Sequence, residues 1–240
     1  MLFDRKKYKH FAKIQLKGRW GVPVLMSIII GLILSLFQLP TVNAYIKSFP
    51  FLLEAETVAE MQEIVESYTP TGYFSNLLGF LEFIVTAILT VAATNVLLKM
   101  SRTPEKISFS SFIESLTLWG RAILANIWRS LWIFLWSLLF VIPGIVKSIA
   151  YSMHNFIICE YPKMSIFKAL NISKLITKGH KAELFVMYLS FIGWILLASI
   201  TCGIGFIWIL PYMQMSFINA YHALMKEALE TGILKMEDLA

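Results

Sequence analysis

The side chains able to do chemistry are few, and the informative ones lie inside apolar stretches. Arg129 stands 15 residues before Gly144, and Glu160 stands 16 residues after it. In a helical hairpin turning at Gly144 both reach a similar depth, about 23 Å from the turn at ~1.5 Å of rise per residue. They are expected to pair, or to share a polar network, near one membrane interface. In the competing arrangement each side chain snorkels separately to water. Glu82 sits in another apolar stretch with no sequence-local partner, and His154 and Asn155 fall in the middle of a third. Ionisable groups in hydrocarbon are costly. These three are therefore candidates for a proton- or cation-accepting site with His154 as the titrating group; the plainer role is a hydrogen-bonded histidine within a bundle.

The usual catalytic templates are absent. The sequence has no GxSxG, no Walker motif, no GxGxxG, no HExxH and no carboxylate cluster at metal-ligand spacing. The Gly-Ile-Gly at 203–205 falls between apolar segments as a turn, not as a phosphate cradle. Cys159 and Cys202 lie in apolar surroundings without CxxC spacing, so neither a disulfide framework nor a zinc site is indicated. The expectation is a non-enzymatic protein with no cofactor and no metal.

Composition fixes the medium. Hydrophobic residues make up 58% of the 240-residue chain and charged residues 15%, with a mean hydropathy of +0.69. A soluble domain carries roughly 25% charged residues to cover its core. This chain cannot cover a globule of its size, so most of its surface faces something other than water. The fold class expected is all-α: a polytopic transmembrane bundle of about six spans in a single integral membrane domain over 1–240.

A bilayer core of ~30 Å needs ~20 apolar residues in a helix. The segments 21–39, 74–98, 122–142 and 184–202 meet that readily, and 205–222 is more polar but adequate. The segment 146–161 is short and carries Lys147, His154, Asn155 and Glu160; it either spans or re-enters. The stretch 21–39 after a basic leader raises the question of a cleaved signal, but it is longer than the ~7–15 residues of a signal core, and it is read as a span.

The cations choose the orientation. Eighteen of the 21 Lys and Arg fall in 1–20, 99–121, 161–183 and 223–240, whereas Lys47 and Lys147 fall on the other side and Arg129 lies within a span. By the positive-inside rule both termini are expected in the cytosol, with 1–20 and 162–183 as basic interfacial helices, 99–121 as a third interfacial segment and 223–240 as a cytoplasmic tail. The external loop, 40–73, holds one Lys and five Glu, and the spacing of its apolar residues predicts an amphipathic helix on the outer surface. Its acidic face either keeps that surface wet or attracts a cationic peptide or ion.

The segments also repeat. AKIQLKGRW at 12–20 aligns without gaps on SKLITKGHK at 173–181, and LTLWGRA at 116–122 offers a weaker third copy centred on Gly120. Each reads as an interfacial helix ending at a glycine cap, followed by a two-span hairpin; the later hairpins turn at 142–145 and 201–204. Three such units are expected.

Basic amphipathic helices attract anionic headgroups at about 1 kcal/mol per well-placed charge. Lys13, Lys17 and Arg19 in the first helix, and Lys174, Lys178 and Lys181 in the later one, are the candidate headgroup ligands. The partners implied are membrane lipid with anionic headgroups on the cytoplasmic side, and a protein partner or a second copy of the chain, not nucleic acid. The function expected is action through lipid or protein contacts, as an accessory to export, resistance or immunity. The alternative is a small-solute or ion transporter built on the intramembrane polar residues.

The opening QLKGRWG (15–21), LWSLLFVIPGIVKSIAYSM (135–153), the SK-x-x-x-KGHK-x-ELF run (173–185) and LSFIGWILLASITCGIGFIWILPY (189–212) together resemble one family of bacterial membrane proteins, domain of unknown function 975. The resemblance spans almost the whole chain and is most specific over 135–222, while the stretch 46–72 looks peculiar to this sequence. It implies six spans and a relationship to the membrane portion of some glycerophosphodiesterases, here with no hydrolase domain expected. It implies no established activity.

Overall fold

The structure, a computed structural model, describes residues 3–69 and 72–239. It is all helical, with no strand among the described residues. The helices are α1 (Arg5–Leu16), α2 (Gly21–Leu52), α3 (Val58–Tyr68), α4 (Tyr73–Arg102), α5 (Ser110–Ser115), α6 (Trp119–Leu139), α7 (Val141–Ala150), α8 (His154–Glu160), α9 (Ile166–Ile176), α10 (Lys181–Leu189), α11 (Ile192–Ile200) and α12 (Phe206–Glu230). Five helical stretches are long and apolar enough to cross a membrane: Gly21–Leu52, Ser75–Arg102, Ser110–Leu139, Val141–Glu160 and Lys181–Ile200. This is a multi-pass membrane protein. Helix α12, at 25 residues, has the length of a sixth crossing, but Gln214, Asn219 and His222 dilute its apolar character and it is not among the five.

The run at 146–161 that looked short begins earlier. The chain turns at Phe140, whose backbone is extended (φ −160°, ψ 151°), so α7 and α8 together supply a 20-residue run. Pro143 and Gly144 are therefore not the turn. Pro143 lies in the first turn of α7, where a missing N–H leaves no helical bond unmade. Gly144 lets α7 lie close on α6, since a Cβ there would stand 2.2 Å from Ser137 Oγ. The second hairpin does turn as expected. Cys202 (φ 51°) and Gly203 (φ 87°) take left-handed conformations, and Gly205 presses so near α11 that a Cβ would stand 2.8 Å from Ala198 Cα.

Two of the three repeated glycines act alike. Gly18 (φ 74°) follows α1 and Gly179 (φ 93°) follows α9, each releasing the chain into the next helix. Gly120 is an ordinary residue near the start of α6, so the third copy lacks the device.

The chain forms two compact units, residues 29–86 and residues 1–28 with 87–240. Within the first, α2 carries on past the apolar run, through Pro40 and Pro50, to Leu52. Helix α3 follows, begun by a capping box in which Thr57 accepts from the Glu60 N–H and Glu60 reaches back to the Thr57 N–H. No residue of α3 is buried; Phe51 and Tyr68 stack at 5.7 Å between ring centres.

Within the second unit α12 is the central element. Met215, Ser216, Ile218, Ala220 and Tyr221 are fully enclosed, and α1 lies along it through its own buried Tyr8, Ala12 and Leu16. Two of the span-length runs in this unit are interrupted: residues 151–153 separate α7 from α8, and Ser190–Phe191 separate α10 from α11.

Candidate functional site

The basic helix α1 is begun by Asp4, whose carboxylate accepts from the N–H of Lys6 (3.0 Å) and Lys7 (3.1 Å). That cap satisfies two of the four free N–H groups of a helix start. With the buried face of α1 against α12, its cations face outward over apolar neighbours. An open groove of about 360 Å³ runs between α1 and α10, where Arg5, Lys6 and Lys9 stand over Val186 and Leu189. On the other flank, Lys7 and Lys226 border a groove of about 410 Å³ with Phe11 and His222. Lys9 plays a second part. Its Nζ donates to the Ser190 carbonyl at 3.1 Å and stands 3.9 Å from the centre of the Phe191 ring. It therefore satisfies a carbonyl at the interruption between α10 and α11, and burial, followed by the charges of Arg5 and Lys13, lowers its pKa below the ordinary 10.5.

The residues expected to hold lipid headgroups divide. Lys17, Lys174 and Lys178 are exposed, Lys13 is exposed with its ammonium 5.8 Å from the Tyr212 ring centre, and Lys181 opens α10. Arg19 is committed elsewhere. Its guanidinium donates to the carbonyls of Met100 (3.2 Å), Thr103 and Glu105 (3.1 Å), and its Nε donates to Gln15 (2.8 Å). It closes the open carbonyl end of α4, which cations complement. Arg5, Lys6 and Lys9, which line the groove, were visible only as members of a basic run. What singles them out is their place over Val186 and Leu189, a long-range contact with no sequence signature.

Glu160 and Arg129 are not brought together. Glu160 takes Arg102 at the end of α4 as its ion pair and accepts from the Tyr221 hydroxyl at 2.7 Å. The expected depth match assumed a turn at Gly144. With the turn at Phe140, Arg129 stands about three helical turns before it and Glu160 more than five after, along a run that is itself interrupted. Around the Glu160 pair a polar junction ties four helices. His222 meets Ser101 Oγ at 2.9 Å, the Gln15 amide donates to the Ser101 carbonyl at 3.1 Å, and the Asn219 amide donates to Gln15 at 2.8 Å.

Glu82 and the His154–Asn155 pair belong to different units. Glu82 does have a partner: the Gln38 amide donates to both its carboxylate oxygens, at 3.0 and 3.2 Å. His154 is 1% exposed, with Nδ1 2.8 Å from the Tyr151 carbonyl. A carbonyl only accepts, so Nδ1 carries a proton in this contact. His154 Nε2, Asn155 Oδ1 and Arg129 Nε are buried with no hydrogen-bond partner.

Among the described residues no three His, Cys, Asp or Glu side chains gather as a metal site would require. In the unit 29–86, Glu54, Glu60 and Glu63 line a shallow groove with Phe51, Ile64 and Tyr68.

Comparison with known proteins adds the family. A family described as a protein of unknown function (DUF975) matches residues 138–228. Over these residues the chain is similar to that family. The matched stretch takes in the tip of the α6–α7 hairpin, both interrupted runs and nearly all of α12, so the family's signature lies on the elements around Glu160, His154 and Ser190. No curated protein and no solved structure matches the chain.

Proposed function

We propose that this protein is a non-enzymatic component of the cell membrane that acts by holding anionic lipid headgroups at its cytoplasmic face, in an accessory role to another membrane process. The observation that carries this reading is the α1–α10 groove, where Arg5, Lys6 and Lys9 overhang the apolar Val186 and Leu189. Phosphate oxygens suit the cations and an acyl chain suits the apolar wall, so a single anionic lipid satisfies both. Lys174 and Lys178 are exposed cations as well.

Two observations support cytosolic termini. Eighteen of the 21 cations fall in the four stretches on one side. Asp4 and Lys7 of α1 share a groove with Lys226 near the end of α12, so the chain begins and ends at the same end of its unit. An even number of crossings follows, with α12 as the sixth.

The test is lipid retention. Protein extracted gently and exchanged into mixed phosphatidylglycerol and phosphatidylcholine nanodiscs should enrich phosphatidylglycerol. Replacing both Arg5 and Lys6 by Ala should cut that enrichment about fivefold per charge removed, the equivalent of ~1 kcal/mol each. Equal retention of the two lipids by the unaltered protein would sink the reading.

A further inference from the structure

The basic groove between α1 and α10 holds a carboxylate of its own. Past Val186 the groove continues toward Phe3 as an open hollow of about 460 Å³, where Arg5 and Lys6 again stand on the α1 side and Glu183 stands on the α10 side. Asp4 lies here too, but its carboxylate is occupied in capping α1. Glu183 Oε2 is buried with no hydrogen-bond partner. An ionised carboxylate at this place opposes a bound phosphate in two ways: it competes for the same cations and it repels the anion.

His180, just before α10, controls what Glu183 presents. Its Nε2 stands 3.2 Å from Glu227 Oε1 on α12. A carboxylate oxygen accepts, so Nε2 carries a proton in this contact. The other nitrogen, Nδ1, faces Glu183 Oε2 at 3.8 Å, beyond hydrogen-bond reach, and it too is buried without a partner. Two unpartnered polar atoms thus confront each other. With a lone pair on Nδ1 they repel; with a proton there they can close to a charge-assisted hydrogen bond. The charged groups facing the ring are Glu227 from α12 and Glu183 from α10, with Lys178 and Lys181 flanking it along the chain. Ahead of α1, Phe3 stacks on the ring at 6.0 Å, and Tyr8 of α1 meets Phe3 edge-on at 5.0 Å. From the end of α9 the Thr177 carbonyl accepts from the His180 backbone N–H at 3.1 Å.

We propose that His180 makes the lipid groove pH-sensitive: its protonation ties Glu183 Oε2 to Nδ1 and leaves Arg5 and Lys6 to an anionic headgroup. The inference rests on the lipid reading of that groove and adds its regulation. Acidification places one more positive charge beside the hollow and withdraws one carboxylate from competition, so anionic lipid binds more tightly as the pH falls. The coupling is reciprocal, and bound lipid favours the proton on His180 by the same factor.

The experiment exchanges the full chain into mixed phosphatidylglycerol and phosphatidylcholine nanodiscs at about pH 8 and at about pH 5, the interval in which an imidazole ordinarily changes charge. Both lipids keep their own charge across it. Phosphatidylglycerol enrichment should rise about fivefold from the higher to the lower pH, the equivalent of one added charge at ~1 kcal/mol. His180→Gln keeps a donor for Glu227 but takes up no proton, and it should hold enrichment at the higher-pH level throughout. Glu183→Gln should raise enrichment at the higher pH toward the lower-pH level. His10→Gln, which removes an exposed imidazole from α1, should leave the rise intact. Equal enrichment at both pH values in the unaltered protein, or a rise that survives in His180→Gln, would overturn the proposal and leave the lipid reading standing. Should His180→Gln fail to fold, Glu183→Gln decides: enrichment at the higher pH no greater than that of the unaltered protein would overturn the proposal. No enrichment at either pH would remove the lipid reading and the proposal with it.

Discussion

The Tyr221 hydroxyl donates to Glu160 Oε2 at 2.7 Å, joining the middle of the central helix α12 to the end of α8. Tyr221 is wholly buried, so its hydroxyl has no water to fall back on. On the other side of the carboxylate, Arg102 is about half exposed (48%) while Glu160 is 13% exposed. Solvent screens that ion pair and makes it the weaker of the two bonds. Tyr221→Phe should therefore lower stability by about 1.5–3 kcal/mol, the range for a hydrogen bond to a charged group. Arg102→Gln should cost less. Unfolding in detergent, followed by loss of helical signal, ranks the two; the reverse order would mean that the ion pair, not the phenol, holds α12 to α8.

Gly144 and Gly193 make a matched pair. A Cβ on Gly144 meets Ser137 Oγ at 2.2 Å and the Ser137 Cα at 3.2 Å, whereas a Cβ on Gly193 meets nothing within 4 Å. Gly144→Ala forces α7 away from α6 and should destabilise by about 1–3 kcal/mol, the range for overpacking. Ser137→Gly in the same chain should recover part of that loss, because the hydroxyl is the nearest atom in the way. Gly193→Ala should stabilise slightly through helix propensity, by up to ~1 kcal/mol. Thermal midpoints of the variants in one detergent give the comparison, and equal effects at the two glycines would refute the close-approach account.

What the sequence disclosed follows from which forces act locally. Span length and apolarity are properties of single segments, so four of the five membrane-length helices stood out before any packing was known, whereas Val141–Glu160 looked too short because its start was placed after Gly144. Gly18 and Gly179 were legible as helix ends because a left-handed residue after a basic helix is a local requirement. Gly144 was misread for the same reason. Pro-Gly between apolar runs looks like a turn, but here the proline begins a helix and the glycine serves the α6 contact, which only the fold reveals. The pairing of Arg129 with Glu160 failed at long range. Depth counting supposed unbroken helices, and neither break carries a glycine or proline to announce it: residues 151–153 are Tyr-Ser-Met and residues 190–191 are Ser-Phe. Nor could it show that Arg102, Gln38 and Ser190 would be the partners of Glu160, Glu82 and Lys9, since those pairings join residues 58, 44 and 181 positions apart.

Arg19 should behave as a structural cation. It fastens the last carbonyls of α4 at Met100 and the following backbone at Thr103 and Glu105. Its removal leaves those acceptors to water and loosens the α4–α5 connection. Arg19→Ala should speed amide exchange over residues 100–108 and cost about 1–3 kcal/mol of global stability. Lys17→Ala, two residues away and exposed, should change neither. Retained protection at 100–108 in Arg19→Ala would show that α4 ends without help.

Lys9 offers a test whose sign depends on pH. Its folded pKa lies below the ordinary 10.5, chiefly through burial, so the folded protein resists its protonation more than the unfolded chain does. Between the lowered folded value and 10.5, the unfolded state binds more protons, and stability rises with pH across that window. Below the folded pKa both states are charged and the Lys9 contribution is constant. Lys9→Met keeps the aliphatic stem but removes the group that titrates and the donor to Ser190. At neutral pH the variant should lose about 1–3 kcal/mol, because the Ser190 carbonyl is left without its bond. As the pH is raised toward 10.5, the advantage of the unaltered protein over Lys9→Met should widen, read as the difference between their unfolding midpoints at each pH. A difference that narrows instead would mean that the ammonium is stabilised, not strained, at the α10–α11 break, and that its place over Phe191 outweighs its burial.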